Sequence, residues 1–114
     1  MVEHRLSEFS GLHQLFIRRC QAIGFGKITG LRVRDGAPIF DDSTEVFEDL
    51  KLDVDDAPRP ELEMVDFVLS AEAVRFFQKL KALSNGVVEQ IEVRAGIPRR
   101  MVCKVRYTHN PVSI

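Results

Sequence analysis

The feature that most constrains the fold is an internal likeness. With residue 15 set over residue 75, the stretch 15–40 (LFIRRCQAIGFGKITGLRVRDGAPIF) lies over 75–100 (RFFQKLKALSNGVVEQIEVRAGIPRR) without a gap. Seven of the 26 positions are identical: Phe16/Phe76, Ala22/Ala82, Gly26/Gly86, Val33/Val93, Arg34/Arg94, Gly36/Gly96 and Pro38/Pro98. Ordinary composition gives roughly two. The matched positions also share structural roles. Such a chain is expected to build two similar units and pack them together.

Each unit opens with a helical pattern. Leu12, Leu15, Phe16, Cys20 and Ile23 recur at helical spacing on one face, as do Ala73, Phe76, Phe77, Leu80 and Leu83. Ser10 and Ser70 stand where N-caps belong, since a serine hydroxyl accepts from the first free amides. Gly24 after the first helix and Asn85-Gly86 after the second offer the left-handed conformation that ends a helix. Each helix then leads into a hairpin. In KITGLRVR (27–34) Thr29, Leu31 and Val33 fall on one side, and in VVEQIEVR (87–94) Val87, Ile91 and Val93 do so. The turns are Arg34-Asp35-Gly36 and Arg94-Ala95-Gly96. A type I′ turn needs positive φ at both central residues, which alanine resists. The expected turn is therefore type I closed by a glycine bulge, with positive φ only at Gly36 and Gly96. Pro38 and Pro98 lack an amide proton and belong at an edge or a non-bonded ladder position. The return over 101–107 alternates regularly, with Met101, Cys103, Val105 and Tyr107 on one side. The first return falters at Asp41-Asp42-Ser43 and is expected to resume as a strand over 45–54.

The expected fold is α+β. Two αββ repeats, residues 10–54 and 70–107, form a four-stranded, mostly antiparallel sheet with both helices on one face. An acidic, proline-containing connector, 55–69, joins them within a single domain of 114 residues. A lone hairpin is marginal in water, so neither helix can bury its stripe without the other unit. Phe9, Phe47 and Phe67 are placed at the rim of the shared core.

The pattern helix, Gly-x-[Val/Ile]-x-x-[Ile/Leu]-x-Val-x-x-Gly-x-Pro resembles a short bacterial domain of unknown function, the YezD-like family. The matching residues run from Gly26 to Val33 and from Gly86 to Val93, each followed by Gly36 or Gly96. The resemblance covers one repeat at a time, and Pro38 and Pro98 depart from the proline-free hairpins of that family. It implies a bacterial origin and an αββ unit, and it brings no catalytic residue to carry over.

No chemical motif stands out. His4, His13 and His109 are scattered, without metal-ligand spacing. No nucleophile elbow or phosphate loop occurs, and Gly24-Phe25-Gly26 follows a helix where a dinucleotide loop would precede one. Glu61 and Glu63 read as a solvated acidic linker. No catalytic residue, metal or cofactor is therefore expected. No stretch approaches ~18 apolar residues, which argues against a membrane span, and the start of the chain lacks the apolar core of a signal peptide. Cys20 and Cys103, the only cysteines, read as small core hydrophobes in a reducing cytoplasm.

Charge is the most informative remaining feature. Residues 41–66 hold eleven acids and two bases, a net of −9, and the remaining fourteen bases and six acids give +8. Residues 93–106 hold Arg94, Arg99, Arg100, Lys104 and Arg106 and no acid. Such a hairpin suits a phosphate or an acidic partner. It either stays solvated, neutralises the acidic segment of its own chain, or meets that of another. The preferred expectation is a non-catalytic module that acts through a protein partner or self-association, with sheet extension at an edge near Pro38 or Pro98. The second is a nucleic-acid module using the five basic residues, opposed by the acidic segment and by the single aromatic platform nearby, Tyr107. The third is a small-ligand binder or enzyme with a cleft between the repeats, where Arg34 and Arg94, both in a VRxG context, would meet.

Overall fold

The computed structural model describes residues 3–53 and 64–104. Two helices of equal length, α1 (Gly11–Ile23) and α2 (Ala71–Leu83), begin at serine caps. The Ser10 and Ser70 hydroxyls accept from the amides of His13 and Ala73 at 3.4 and 3.1 Å. Each helix feeds a nine-residue strand, β1 (Gly26–Arg34) or β4 (Gly86–Arg94). These two lie antiparallel at the middle of the sheet, from Gly26↔Val93 to Val33↔Gly86. The return of the second hairpin is β5 (Ile97–Cys103), antiparallel to β4. The return of the first is broken into β2 (Ala37–Ile39) and β3 (Glu45–Glu48), which share the outer edge of β1. The result is an α+β fold with a five-stranded antiparallel sheet rather than the expected four. β3 is also shorter than the expected 45–54 strand, ending at Glu48.

One core lies between helices and sheet. Phe16, Cys20 and Ile17 from α1 meet Phe76, Phe77 and Leu80 from α2 over Ile28, Leu31, Val33, Val88, Ile91 and Val93. The rings of Phe16 and Phe76, matched positions of the two halves, stack at 4.7 Å and 19° where the two helices meet. The opposite face of the sheet carries Lys27, Arg32, Glu89, Glu92 and Arg94 and faces water.

The expected core faces need several corrections, among them Leu83 of α2, which is 37% exposed. Leu12 and Leu15 are 43% and 41% exposed, whereas Ile17 and Gln21 are buried. Helix α1 packs its Gln21 side closely on the β4–β5 turn, where a Cβ on Gly96 would lie 3.3 Å from the Gln21 Cα. In β1 the buried residues are Ile28, Leu31 and Val33, so Thr29 is not among them. Gly30 adopts φ +66° and shifts the alternation by one residue. The pairing of β4 with β5 likewise shifts between Val88 and Gln90, so Val88 is buried and Val87 exposed. Phe9 and Phe67 pack against the core as expected, but Phe47 is exposed.

Both hairpin turns differ from expectation in the same way. Asp35 and Gly36 have φ of 51° and 76°, and Ala95 and Gly96 have 52° and 75°. With Arg34 paired to Ala37 and Arg94 to Ile97, these are two-residue type I′ turns. Alanine takes the disfavoured conformation because cross-links fix the loops from outside. The Gly36 amide donates to the Ser84 carbonyl and the Gly96 amide to the Gly24 carbonyl, each at 2.8 Å. The helix stop is corrected too: Ser84, and not Asn85, occupies the place of Gly24. Gly24 (φ 72°, ψ −71°) and Ser84 (φ 69°, ψ −65°) are centres of tight γ-turns, closed by bonds from Phe25 to Ile23 and from Asn85 to Leu83.

A short clasp ties the start of the chain to the residues before α2. A single 3-10 turn (Leu6–Glu8) places Leu6 in the core. Its amide donates to the Phe67 carbonyl at 2.9 Å, and Leu69 donates back to His4 at 2.8 Å. Asp66 accepts from Arg5 Nε, Ser7 Oγ and the Ser7 amide, each at 2.9 Å. Residues 64–69, expected to be linker, are therefore partly built into the fold.

Candidate functional site

The edges of the sheet are where the two halves part company. After Pro98 the second return stays extended. Arg99 bulges out of the ladder, since Val93 pairs with Pro98 and Glu92 with Arg100. That bulge sends Arg99 toward α2, where its guanidinium meets Glu72 at 2.5 Å. Arg100 faces the other way, with Glu92 at 3.9 Å, and Arg94 meets the same carboxylate at 2.5 Å. The side chains of Arg94 and Arg100 remain largely in water, 67% and 73% exposed. Lys104 is exposed, and Arg106 lies outside the described residues, as do Tyr107, His109, Glu61 and Glu63. Thus Arg99 and Arg100 lie on the edge strand β5, and Arg94, at the end of the inner strand β4, shares Glu92 with Arg100. Their described acidic partners are Glu72 and Glu92, neither of which belongs to the acidic segment 41–66.

Arg34 and Arg94 are not brought together. They end β1 and β4, and antiparallel pairing sends those ends to opposite sides of the sheet. No cleft between the halves can hold both guanidinium groups.

After Pro38 the first return does something else. Phe40 lays its ring on Phe16 at 6.2 Å, with the Arg19 guanidinium 5.7 Å above it. The chain then folds into a knuckle. Asp41 accepts from the Ser43 amide at 2.9 Å, from the Ser43 hydroxyl at 2.6 Å and from Arg32 Nε at 2.9 Å. Thr44 Oγ1 donates to the Gly30 carbonyl at 3.0 Å. The Ser43 hydroxyl and the Arg32 guanidinium hold the Asp41 carboxyl well below the usual carboxylate range. A Cβ on Gly30 would come 2.7 Å from the Ser43 carbonyl oxygen, so glycine is what lets the knuckle close on β1. Beyond it, β3 presents Glu45, Val46, Phe47 and Glu48, all exposed, with the Lys27 ammonium 5.0 Å over the Phe47 ring. Sequence reasoning missed this knuckle as a unit, although Asp-x-Ser-Thr is the composition of a side-chain-capped turn. It also missed the Asp66 clasp. The Arg5 guanidinium and the Ser7 amide push the Asp66 carboxyl down to about 2, but no local signal links positions so far apart in the chain.

Shallow clefts among the described residues flank the core. One, of about 180 Å³, lies between α2 and β5, with Phe76, Pro98 and Met101 beside Arg75, Lys79 and Arg99. The other, of about 220 Å³, lies between the clasp, α1 and the β4–β5 turn, and its lining among the described residues is uncharged. Neither brings an acid and a base together around a nucleophile. Cys20 is buried in the core, which pushes its thiol far up, and both cysteines are free thiols. His13 donates from Nε2 to the Gly36 carbonyl at 3.2 Å and takes the Ser10 hydroxyl on Nδ1 at 2.6 Å. Burial lowers its pKa, against the Gly36 bond. The imidazole is a strut between α1 and the first turn, packed edge-on against Phe77 at 4.6 Å. Among the described residues no group of three or more His, Cys, Asp or Glu side chains gathers to hold a metal ion, and no helix is long and apolar enough to cross a membrane.

What this arrangement can do is present two charged strand edges of opposite sign. Comparison with known proteins adds no name to it: no protein-family model matches the chain, and no curated protein or solved structure is detectably similar.

Proposed function

We propose that this chain is a non-catalytic protein-interaction module, built as a tandem of two αββ units, that acts through self-association or a protein partner at the edges of its sheet. One observation carries the reading. Among the described residues the sheet ends on one side in β3, with Glu45 and Glu48 exposed, and on the other in β5, with Arg99 and Arg100 exposed. Edge strands offer unpaired backbone groups, and charge on them decides what they accept. Pro38 lies on β2, which shares the outer edge of β1 with β3, and Pro98 lies on β5, places where a missing amide proton costs no ladder bond. The tandem reading is supported by the nearly equal φ values at matched turn positions and by the matching Gly36–Ser84 and Gly96–Gly24 hydrogen bonds.

The nucleic-acid reading draws less support, because Arg94 and Arg100 share Glu92 and Arg99 meets Glu72. The cleft-enzyme reading draws least, since it needed Arg34 beside Arg94. With the free thiols and the resemblance of each half to a small bacterial domain, the reading assigns the module to a reducing bacterial cytoplasm.

Sedimentation of the full chain across protein and salt concentration, with affinity capture from a lysate, tests it. The expected result is an oligomer or a recovered protein complex that loosens as salt rises. A salt-independent monomer that recovers no protein would overturn the reading. A steep, salt-sensitive electrophoretic shift with nucleic acid would replace it with the second one.

A further inference from the structure

We infer that the partner is a second copy of this chain, bound head to tail, with β3 of one copy lying against β5 of the next. This rests on the self-association reading and adds which edge meets which.

Strand direction comes first. β3 and β4 both run antiparallel to β1, and β5 runs antiparallel to β4, so β5 and β3 point in opposite senses. A second copy set alongside in the same orientation therefore brings β3 to β5 as antiparallel neighbours. The sheet continues without a change of hydrogen-bonding type, and all helices stay on one face.

Charge then selects this contact over the two-fold alternatives. Pairing β5 with β5 sets Arg99 and Arg100 against themselves, and pairing β3 with β3 does the same for Glu45 and Glu48. Like charges facing each other across strands repel, and opposite charges attract. The charges that blunt each edge against its own kind thus make the two edges fit each other. Exposed apolar side chains lie on both, Val46 and Phe47 on β3 and Val102 on β5. Such a heterologous contact does not close on itself as a two-fold one does, so growth is open-ended.

The test is sedimentation velocity of the full chain at several protein concentrations, at about 0.05 M and about 0.5 M salt. At low salt the weight-average size is expected to rise steadily with concentration, without stopping at a dimer. At high salt the association should weaken on the order of tenfold, the worth of two or three exposed ion pairs. E45K/E48K, on residues that hold no ion pair among those described, should leave the fold intact by circular dichroism and abolish growth. R99E/R100E should abolish it too, and combining all four substitutions in one chain should restore it. If E45K/E48K leaves a discrete dimer unchanged, the edge pairing is wrong while self-association stands. If the four-fold variant is folded but monomeric, β3 and β5 are not each other's partners. A chain monomeric at every concentration at low salt removes both this inference and the reading beneath it.

Discussion

From Gly11 to Pro38 and from Ala71 to Pro98 the chain makes the same moves, and beyond the two prolines it makes different ones. The helices span Gly11–Ile23 and Ala71–Leu83, and the strands Gly26–Arg34 and Gly86–Arg94. The turns that follow have φ values within a degree of each other. Then the first return breaks into Phe40, a knuckle around Asp41 and a short acidic strand. The second runs straight through Arg99 and Arg100 to Cys103. Even the local ion pairs are inverted. In the first half a base on the inner strand, Arg32, holds the acid Asp41, and at the matching position of the second half an acid, Glu92, holds Arg94 and Arg100. Buried positions are tied by packing density, where one methylene is felt, and by backbone bonds with no alternative partner. Edge positions are bound by neither. That is why differences gather at the edges, and why a functional reading belongs there.

The comparison breaks most sharply in the core. Phe16→Ala and Phe76→Ala should each cost about 3–5 kcal/mol, the usual cost of removing a buried aromatic side chain. Because the rings stack at 4.7 Å, the double variant should cost less than the sum, by roughly 0.5–1.5 kcal/mol. Urea denaturation of the four species checks this. A loss below about 1 kcal/mol for either single variant would show that the halves do not share the core equally.

Next come the turn glycines. Gly36→Ala and Gly96→Ala each put a Cβ at positive φ, 3.2 Å from the Lys81 Cα and 3.3 Å from the Gln21 Cα respectively. Each is expected to cost about 1–3 kcal/mol, and the two costs should agree closely. A large gap would locate a difference between the hairpins that the backbone geometry conceals.

How much of this was legible beforehand follows the same division. Helix spans, N-caps and hairpin positions could be read from Ser10, Ser70, Gly36, Gly96 and the register between the two halves, because each rests on a local propensity doubled by its counterpart. Strand phase was misread at Thr29 and Val87, since a single bulge near Gly30 or Glu89 reverses the inside and outside of a strand. The turn type was misread at Ala95 because its strain is imposed by the Gly96–Gly24 bond, a tertiary contact. Arg94, Arg99 and Arg100 were legible as a basic group. Their closest acids were not, because Glu72 sits on a helix and Glu92 on a strand that only the fold brings near.

Acid should then act unevenly on the two halves. Asp41 has its carboxyl pulled down by Ser43 and Arg32, and Asp66 is pulled to about 2 by Arg5 and Ser7. A carboxyl lowered by folding adds stability above its unfolded value near 3.8 and loses it as pH falls toward 2. His13, lowered by burial, acts in the same direction at milder pH: its contribution is full above 6.5 and shrinks as pH falls below that. Position 73, its counterpart, is alanine. Amide exchange on acidification should therefore open the first turn, then β3 and the clasp, before β4 and β5. Asp66→Asn should abolish the carboxylate step at the clasp alone. Simultaneous loss of protection in both hairpins would mean that the knuckle and clasp add nothing of their own.

The smallest effects test the strain that the two halves share but distribute differently. Gly24 and Ser84 hold the same γ-turn, and Asp35 and Ala95 the same left-handed turn position, so one half uses suited residues where the other does not. Aspartate and asparagine tolerate positive φ through local side-chain bonding, and glycine through its missing Cβ, whereas alanine and serine are strained by it. Ala95→Asn should stabilise by about 0.5–1 kcal/mol, and Asp35→Ala should destabilise by about the same amount. Ser84→Gly should gain up to about 1 kcal/mol, less the greater freedom glycine gives the unfolded chain. Thermal unfolding reads all three. If Ala95→Asn is neutral while Asp35→Ala is costly, Asp35 contributes through its side chain and not its backbone. The Asp35 amide is held in either case, donating to Asn85 Oδ1 at 3.1 Å, a bond the second turn has no residue to copy, since position 25 is phenylalanine.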